Sequence, residues 1–268
     1  MRTELISFIK KNSLIELSYR IPLLIRSLTL YAGVICFYVV AVVFKKNIIF
    51  DAGGYELSYF PFVMTGIIFS MYIISVLGTF ALRMEEEKKI GTLEMLLMSP
   101  LDFVAVCFLF YVASFIIIFV LTLPVLLFAL FTVKINFTPS IMLAILVIGL
   151  ISFLVFASFA LIIASFIIIF EKGRGISNFI NTTFRILGGI YFPVIIMPKG
   201  LQLIHKALPI SYGLNAFRDI LFKGYNLIDV FPSILVLLCY GFVLWPLGII
   251  LVRFSIHWAK LKGTLGRY

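Results

Sequence analysis

Three stretches of this chain run past the length of a bilayer crossing without a single charged residue: Leu57–Leu82, Phe103–Val133 and Ser140–Phe170. A helix rising about 1.5 Å per residue needs about 20 apolar residues to cross about 30 Å of hydrocarbon. In lipid every backbone N–H and C=O must be satisfied within the protein, and an α-helix does this from local sequence alone. The fold class is therefore an all-α integral membrane protein. Composition agrees, with 63% hydrophobic and 13% charged residues, against about 25% charged in a typical soluble domain. The length suits one transmembrane domain over 1–268, with no room expected for a separate soluble domain.

Read in order, the apolar runs predict six transmembrane helices. A charged lead-in, 1–21, carries Ser13 and Glu16 at capping-box spacing and reads as an interfacial helix. The first span covers Leu23–Phe44, and a short polar turn, Lys45–Glu56, leads to the second, Leu57–Leu82. A charged connector, 83–102, precedes the third and fourth spans within Phe103–Val133 and Ser140–Phe170. A fifth, interrupted span runs from Ile176 to about Met197, followed by an amphipathic outer re-entrant segment, 199–229. The sixth, Val230–Val252, ends in a basic tail, 253–268.

The formal net charge of +10 sorts by side rather than pointing to nucleic acid. With both termini inside, cytoplasmic segments hold 14 Lys and Arg and the opposite side seven, as the positive-inside rule requires. Cys36, Cys107 and Cys239 all lie in apolar runs with no metal-ligand spacing and read as small core hydrophobes.

The densest polar cluster is Glu85–Leu101. Residues 83–89 extend the second span out of the lipid, and Gly91 interrupts it. Thr92 reads as the N-cap of a new short helix, with Glu94 in its first turn. Leu93, Leu96 and Leu97 share one face, Ser99 and Pro100 end the helix, and Asp102 caps the third span. The spacing alone fits two readings equally: a loop folding its leucines back onto the membrane, or a transverse helix offering an apolar knob to a partner.

In the fifth span, Asn178, Asn181 and Arg185 recur at helical spacing on a face continued by Gly188 and Phe192. A buried Arg costs at least about 2.5–3.5 kcal/mol on insertion scales, so this strip is expected to line a substrate path rather than face lipid. The rival reading has Arg185 snorkelling to the cytoplasmic surface. Pro193 and Pro198 are expected to interrupt the helix at its outer end. Lys199, His205, Lys206 and Arg218 read as outer cations for anionic head groups, with His205 a surface side chain.

Three motifs together resemble type-2 ABC exporter permeases. The first is Glu87-x-x-x-Gly91-Thr92-Leu93-Glu94-x-Leu96-x-x-x-Pro100, which is similar to the family's signature cytoplasmic loop. The second is Gly188-Gly-Ile-Tyr-Phe-Pro193 followed by Met197-Pro198, and the third runs from Leu208-Pro209 to Arg218. The resemblance implies a coupling helix between spans 2 and 3, formed by Glu87, Gly91, Thr92, Leu93, Glu94, Leu96, Leu97 and Pro100. It further implies a cytoplasmic ABC ATPase subunit that carries the ATP and Mg, and a second permease subunit. This chain would bind no cofactor or metal itself; its setting would be the lipid of a prokaryotic plasma (inner) membrane, and its cargo amphipathic, lipid-linked or drug-like. In keeping with a permease that lacks its own motor, the sequence has no G-x-x-x-x-G-K-[ST] phosphate loop. It also shows no HExxH, no GxSxG and no close intramembrane carboxylate pair, so no catalytic residues are assigned. The alternative is an ATP-independent secondary carrier or channel. It lacks the titratable relay such proteins usually carry, since every Asp and Glu lies outside the firmly assigned spans.

Overall fold

The computed structural model describes residues 25, 28, 31–36, 39, 49–51, 56–97, 102–132, 138–170 and 173–262. The interfacial helix of the lead-in, most of the first span and the end of the tail lie outside the described residues.

The chain is nearly all helical. Two three-residue strands, β1 (Ile49–Asp51) and β2 (Glu56–Ser58), pair antiparallel with Phe50 opposite Leu57. This small hairpin ahead of α1 is a minor departure from an otherwise helical fold.

Eight helices follow among the described residues: α1 (Tyr59–Ile90), α2 (Thr92–Leu97), α3 (Phe103–Thr132), α4 (Pro139–Ile169), α5 (Gly173–Leu187), α6 (Lys199–Lys206), α7 (Pro209–Lys223) and α8 (Phe231–Lys262). Four of them, α1, α3, α4 and α8, are long and apolar enough to cross a membrane, over Pro61–Ile90, Phe103–Leu127, Pro139–Ile169 and Phe231–Lys262. The helix in the place of the fifth span has 15 residues, roughly 22 Å at 1.5 Å per residue and short of a full crossing.

α1 lies at the centre, with α3, α4 and α5 packed around it. Phe80, Tyr111 and Phe156 are fully buried in the main apolar cluster these helices share. Phe184 of α5 meets Phe156 and Phe159 of α4 edge-on at centroid distances of 5.5 and 5.3 Å, a geometry aromatic pairs prefer. α8 lies along α4 and is mostly uncovered by the chain, with Phe242, Ile250 and Phe254 exposed. An apolar face that large belongs in hydrocarbon or against another membrane helix.

Pro124 and Pro246 sit inside α3 and α8 without ending them. Helix-breaking residues are tolerated in spanning helices because neighbours re-satisfy the freed backbone groups. Pro209 starts α7, just past the end of α6, where its missing N–H costs nothing. Gly224, at φ 67°, closes that helix.

Candidate functional site

Three polar places interrupt the apolar bundle, and each is built where a helix ends. The first is the connector. α1 continues unbroken through Arg83–Lys89 to Ile90, where Gly91 turns the chain at φ 81°. L-residues with a side chain rarely adopt that conformation. α2 begins at once with Thr92. Its hydroxyl donates backward to the Glu87 carbonyl oxygen at 3.1 Å and makes a short contact with the Glu87 carboxylate. Thr92 is thus the first helical residue and a tie to α1, not the forward-facing N-cap read from sequence.

Lys88 reaches from the same turn across to α4. Its Nζ donates to the carbonyls of Ile167 at 2.9 Å and Ile168 at 3.3 Å. These are among the last carbonyls of a long helix, which have no partner of their own and carry the negative end of its dipole. At the head of α3, the Asp102 carboxylate accepts from the Val104 N–H at 3.4 Å and lies 3.9 Å from the Arg253 guanidinium of α8.

The leucine face of α2 turns inward. Leu93 is buried in the main core, and Leu96 and Leu97 pack against it half-buried. The apolar side chains left outside are Ile90, 74% exposed, and Met95, 73% exposed. Of the two readings the spacing allowed, the leucines turn inward, and the exposed apolar side chains are Ile90 at the end of α1 and Met95 on α2. Glu94 is helical in backbone, but its side chain, like Pro100, lies outside the described residues.

The second place is the polar strip of α5. Asn181 and Arg185 come together against α1, while Asn178 of the same helix is exposed. The Arg185 guanidinium donates to the Ser75 hydroxyl at 3.4 Å, and Asn181 Nδ2 donates to Ser177 at 3.4 Å. A Cβ placed on Gly78 of α1 would stand 3.3 Å from that Asn181 nitrogen, so the two helices meet closely here. Asn181 Oδ1 is buried with no hydrogen-bond partner among the described residues. Arg185 also lies in the last turn of α5, where a cation suits the helix dipole. Gly188 is buried beside Ile210, and Phe192, past the helix end, is exposed. Asn178, Asn181 and Arg185 thus all lie within the one helix, while Gly188 and Phe192 come after its end.

The third place is the break itself. It falls at Gly188 and Gly189, with Gly189 at φ 73°, and not at Pro193 and Pro198 as expected. Those prolines instead precede a 3-10 turn, Val194–Ile196, and α6. The end of α5 leaves carbonyls without helical partners, and these are met by two side chains from the segment that follows. His205 Nδ1 donates to the Leu187 carbonyl at 2.8 Å, with Ser211 Oγ 3.0 Å away. Arg218 donates to the Gly189 carbonyl at 3.0 Å, to Ile190 at 3.3 Å and to Phe62 of α1 at 3.0 Å. Its guanidinium also lies 3.6 Å from the Phe62 ring centroid. The approach depends on Gly66, where a Cβ would come within 2.5 Å of the Ile190 oxygen and 2.9 Å of the Arg218 guanidinium.

Arg218 and His205 are thus buried, at 2% and 6% exposure, and not the surface cations read from sequence. A signal was available: a proline-rich interruption followed by basic residues on an amphipathic stretch. Burial holds the His205 imidazole below its ordinary pKa, the Leu187 bond opposes that, and nearby Arg218 adds to it. Lys199 and Pro198 remain exposed, and Pro193 is buried.

Beside this anchor a cleft of about 330 Å³ opens between α6, α7 and the start of α1. Phe62, Pro193 and Ile195 form an apolar wall, facing Lys206, Asn215, Arg218 and Lys223. The one acid in its lining, Asp219, pairs with Lys223 at 2.7 Å.

Four long apolar helices around a buried polar anchor define a helical integral membrane protein. The sequence profile of the ABC-2 type transporter family matches residues 6–222, and the chain belongs to that family. No curated relative matches it. The chain is accordingly the membrane part of a transporter, a permease rather than the catalytic component.

Proposed function

We propose that the chain is the membrane-spanning subunit of an ATP-driven exporter, moving an amphipathic, lipid-linked or drug-like substrate outward. A separate cytoplasmic ABC ATPase binds ATP and Mg and supplies the energy, and two permease subunits, identical or paralogous, form the transmembrane path. Both termini and the connector face the cytoplasm of a prokaryotic plasma membrane.

The observation that carries this reading is the build of the connector. A helix that exits the bundle, turns at Gly91 and presents exposed Ile90 and Met95 above a buried Leu93 is an apolar handle on a rigid base. Exposed apolar side chains rimmed by the charged Glu86 and Lys89 suit a protein groove. Lys88 joins that base to the end of α4, and Asp102 approaches Arg253 of α8, so a push on α2 reaches two further long helices. Asn181 and Arg185, between α1 and α5, are the polar groups a moving substrate path would expose.

Co-purification with the ATPase tests the reading. Ile90→Asp with Met95→Asp is expected to release the ATPase while membrane insertion stays normal. Retention of the ATPase by that variant would overturn the docking assignment.

A further inference from the structure

α4 is a long helix that ends without a cation of its own: its last turn, closing at Ile169, contains no basic residue. The final carbonyls of a helix have no intrahelical donor and carry the negative end of its dipole. Here the Phe166 carbonyl is taken by the Phe170 N–H at 2.8 Å, and those of Ile167 and Ile168 are met from another helix. Lys88, in the last turn of α1, donates from Nζ to Ile167 at 2.9 Å, Ile168 at 3.3 Å and Phe170 at 3.5 Å. One half-buried ammonium, with its three N–H donors, thus closes the end of α4.

The same turn of α1 holds α2. Thr92 bonds back to the Glu87 carbonyl at 3.1 Å and to the Glu87 carboxylate, and Leu93 next to it is buried. Glu87 and Lys88 are neighbours, so α2 and the end of α4 are gripped by adjacent residues. Beyond that grip α5 begins at Gly173, with Gly175 in its first turn. A Cβ on Gly175 would meet nothing within 4 Å and its φ is not positive, so neither packing nor backbone geometry requires glycine there. What glycine supplies within a helix is a turn that unwinds more easily than one built with alanine. Further along, Phe184 seats α5 on Phe156 and Phe159 of α4, so a shift of α4 is passed to α5.

We infer that Lys88 is the positioning residue that passes movement of α2 to the junction of α4 and α5, and that this junction yields at Gly175. The inference rests on the proposed coupling reading and deepens it by naming the side chain and the turn that join the two motions. α5 carries Asn181 and Arg185 against α1, so a shift at its first turn changes the contacts of that strip. The Asp102 approach to Arg253, 3.9 Å between exposed side chains, is the weaker tie, because exposed ion pairs contribute little.

The test is amide hydrogen exchange on the complex purified with its ATPase, with and without ATP and orthovanadate, read in peptides covering α2 and residues 166–180. In the wild type both peptides are expected to change on trapping. Lys88→Met removes the ammonium: α2 should still respond while the response of residues 166–180 is lost, and Lys88→Arg should restore it. A side chain that only closed the end of α4 would, on removal, raise exchange there equally with and without nucleotide. That outcome, with the nucleotide-dependent difference intact, overturns the inference. Gly175→Ala leaves the Lys88 contacts in place and meets no neighbour. It is expected to slow exchange of its turn about two- to fivefold and to shrink the difference on trapping. A full-sized difference in that variant overturns the hinge, and this arm decides even where Lys88→Met does not assemble. Asp102→Asn should leave both responses at wild-type size; a loss as large as in Lys88→Met overturns the assignment to Lys88. A wild type in which α2 itself is silent refutes the coupling reading and the inference with it. A responding α2 beside a silent junction overturns the inference alone.

Discussion

The guanidinium of Arg218 on α7 donates to the carbonyl of Gly189, in the turn where α5 breaks, at 3.0 Å. The bond crosses from a residue after the break to the backbone exposed by it. With Ile190 and Phe62 as further acceptors, one planar fork joins the turn after α5, α7 and the start of the central helix.

Arg218→Met is expected to leave those carbonyls without their donor, at roughly 1–3 kcal/mol for each that finds no replacement. Arg218→Lys, with one charged point in place of a fork, falls between Met and wild type. Apparent melting temperature in detergent reads the order wild type above Lys above Met. Equal stability of all three would show the carbonyls to be satisfied without Arg218.

His205 makes stability depend on pH. Its folded pKa lies below the unfolded value of about 6.5. The folded state therefore binds fewer protons over that interval, and stability falls as pH drops. Its contribution is complete above about pH 6.5 and is lost as pH descends through the lower folded value. The melting temperature should fall between neutral and mildly acidic pH, and His205→Asn should flatten that part of the curve. An unchanged curve in the variant would assign the pH dependence to other groups.

At the junction of α1 and α2, inward and outward side chains should separate cleanly. Leu93→Ala removes a buried side chain and is expected to cost about 2–5 kcal/mol. Ile90→Ala and Met95→Ala, both at exposed positions, should leave the melting temperature nearly unchanged and weaken ATPase retention. If Leu93→Ala melts like wild type, the inward placement is wrong.

Arg185→Ala removes the donor to Ser75 between α5 and α1. If the strip belongs to the substrate path, substrate-stimulated ATP hydrolysis by the complex should change more than basal hydrolysis. Equal changes would reduce Arg185 to a structural tie.

Four of the six predicted spans, α1, α3, α4 and α8, were legible in the sequence, because an uncharged run beyond bilayer length has one way to satisfy its backbone in lipid. It also marked the turn at Gly91 and the extension of α1 to Ile90, since glycine spacing and charge act locally. It could not determine which face of α2 points inward, because Leu93, Ile90 and Met95 are all apolar and only the packing of α1 and α3 around them decides. Nor could it separate Arg218 from Lys199. Both are cations on an amphipathic stretch after a break, and one is buried while the other is exposed. What divides them is the distance to carbonyls roughly 30 and 150 residues away, at Gly189 and Phe62. A buried carbonyl left without a partner must be met by whichever donor the fold brings to it. Only the tertiary structure brings Arg218 there.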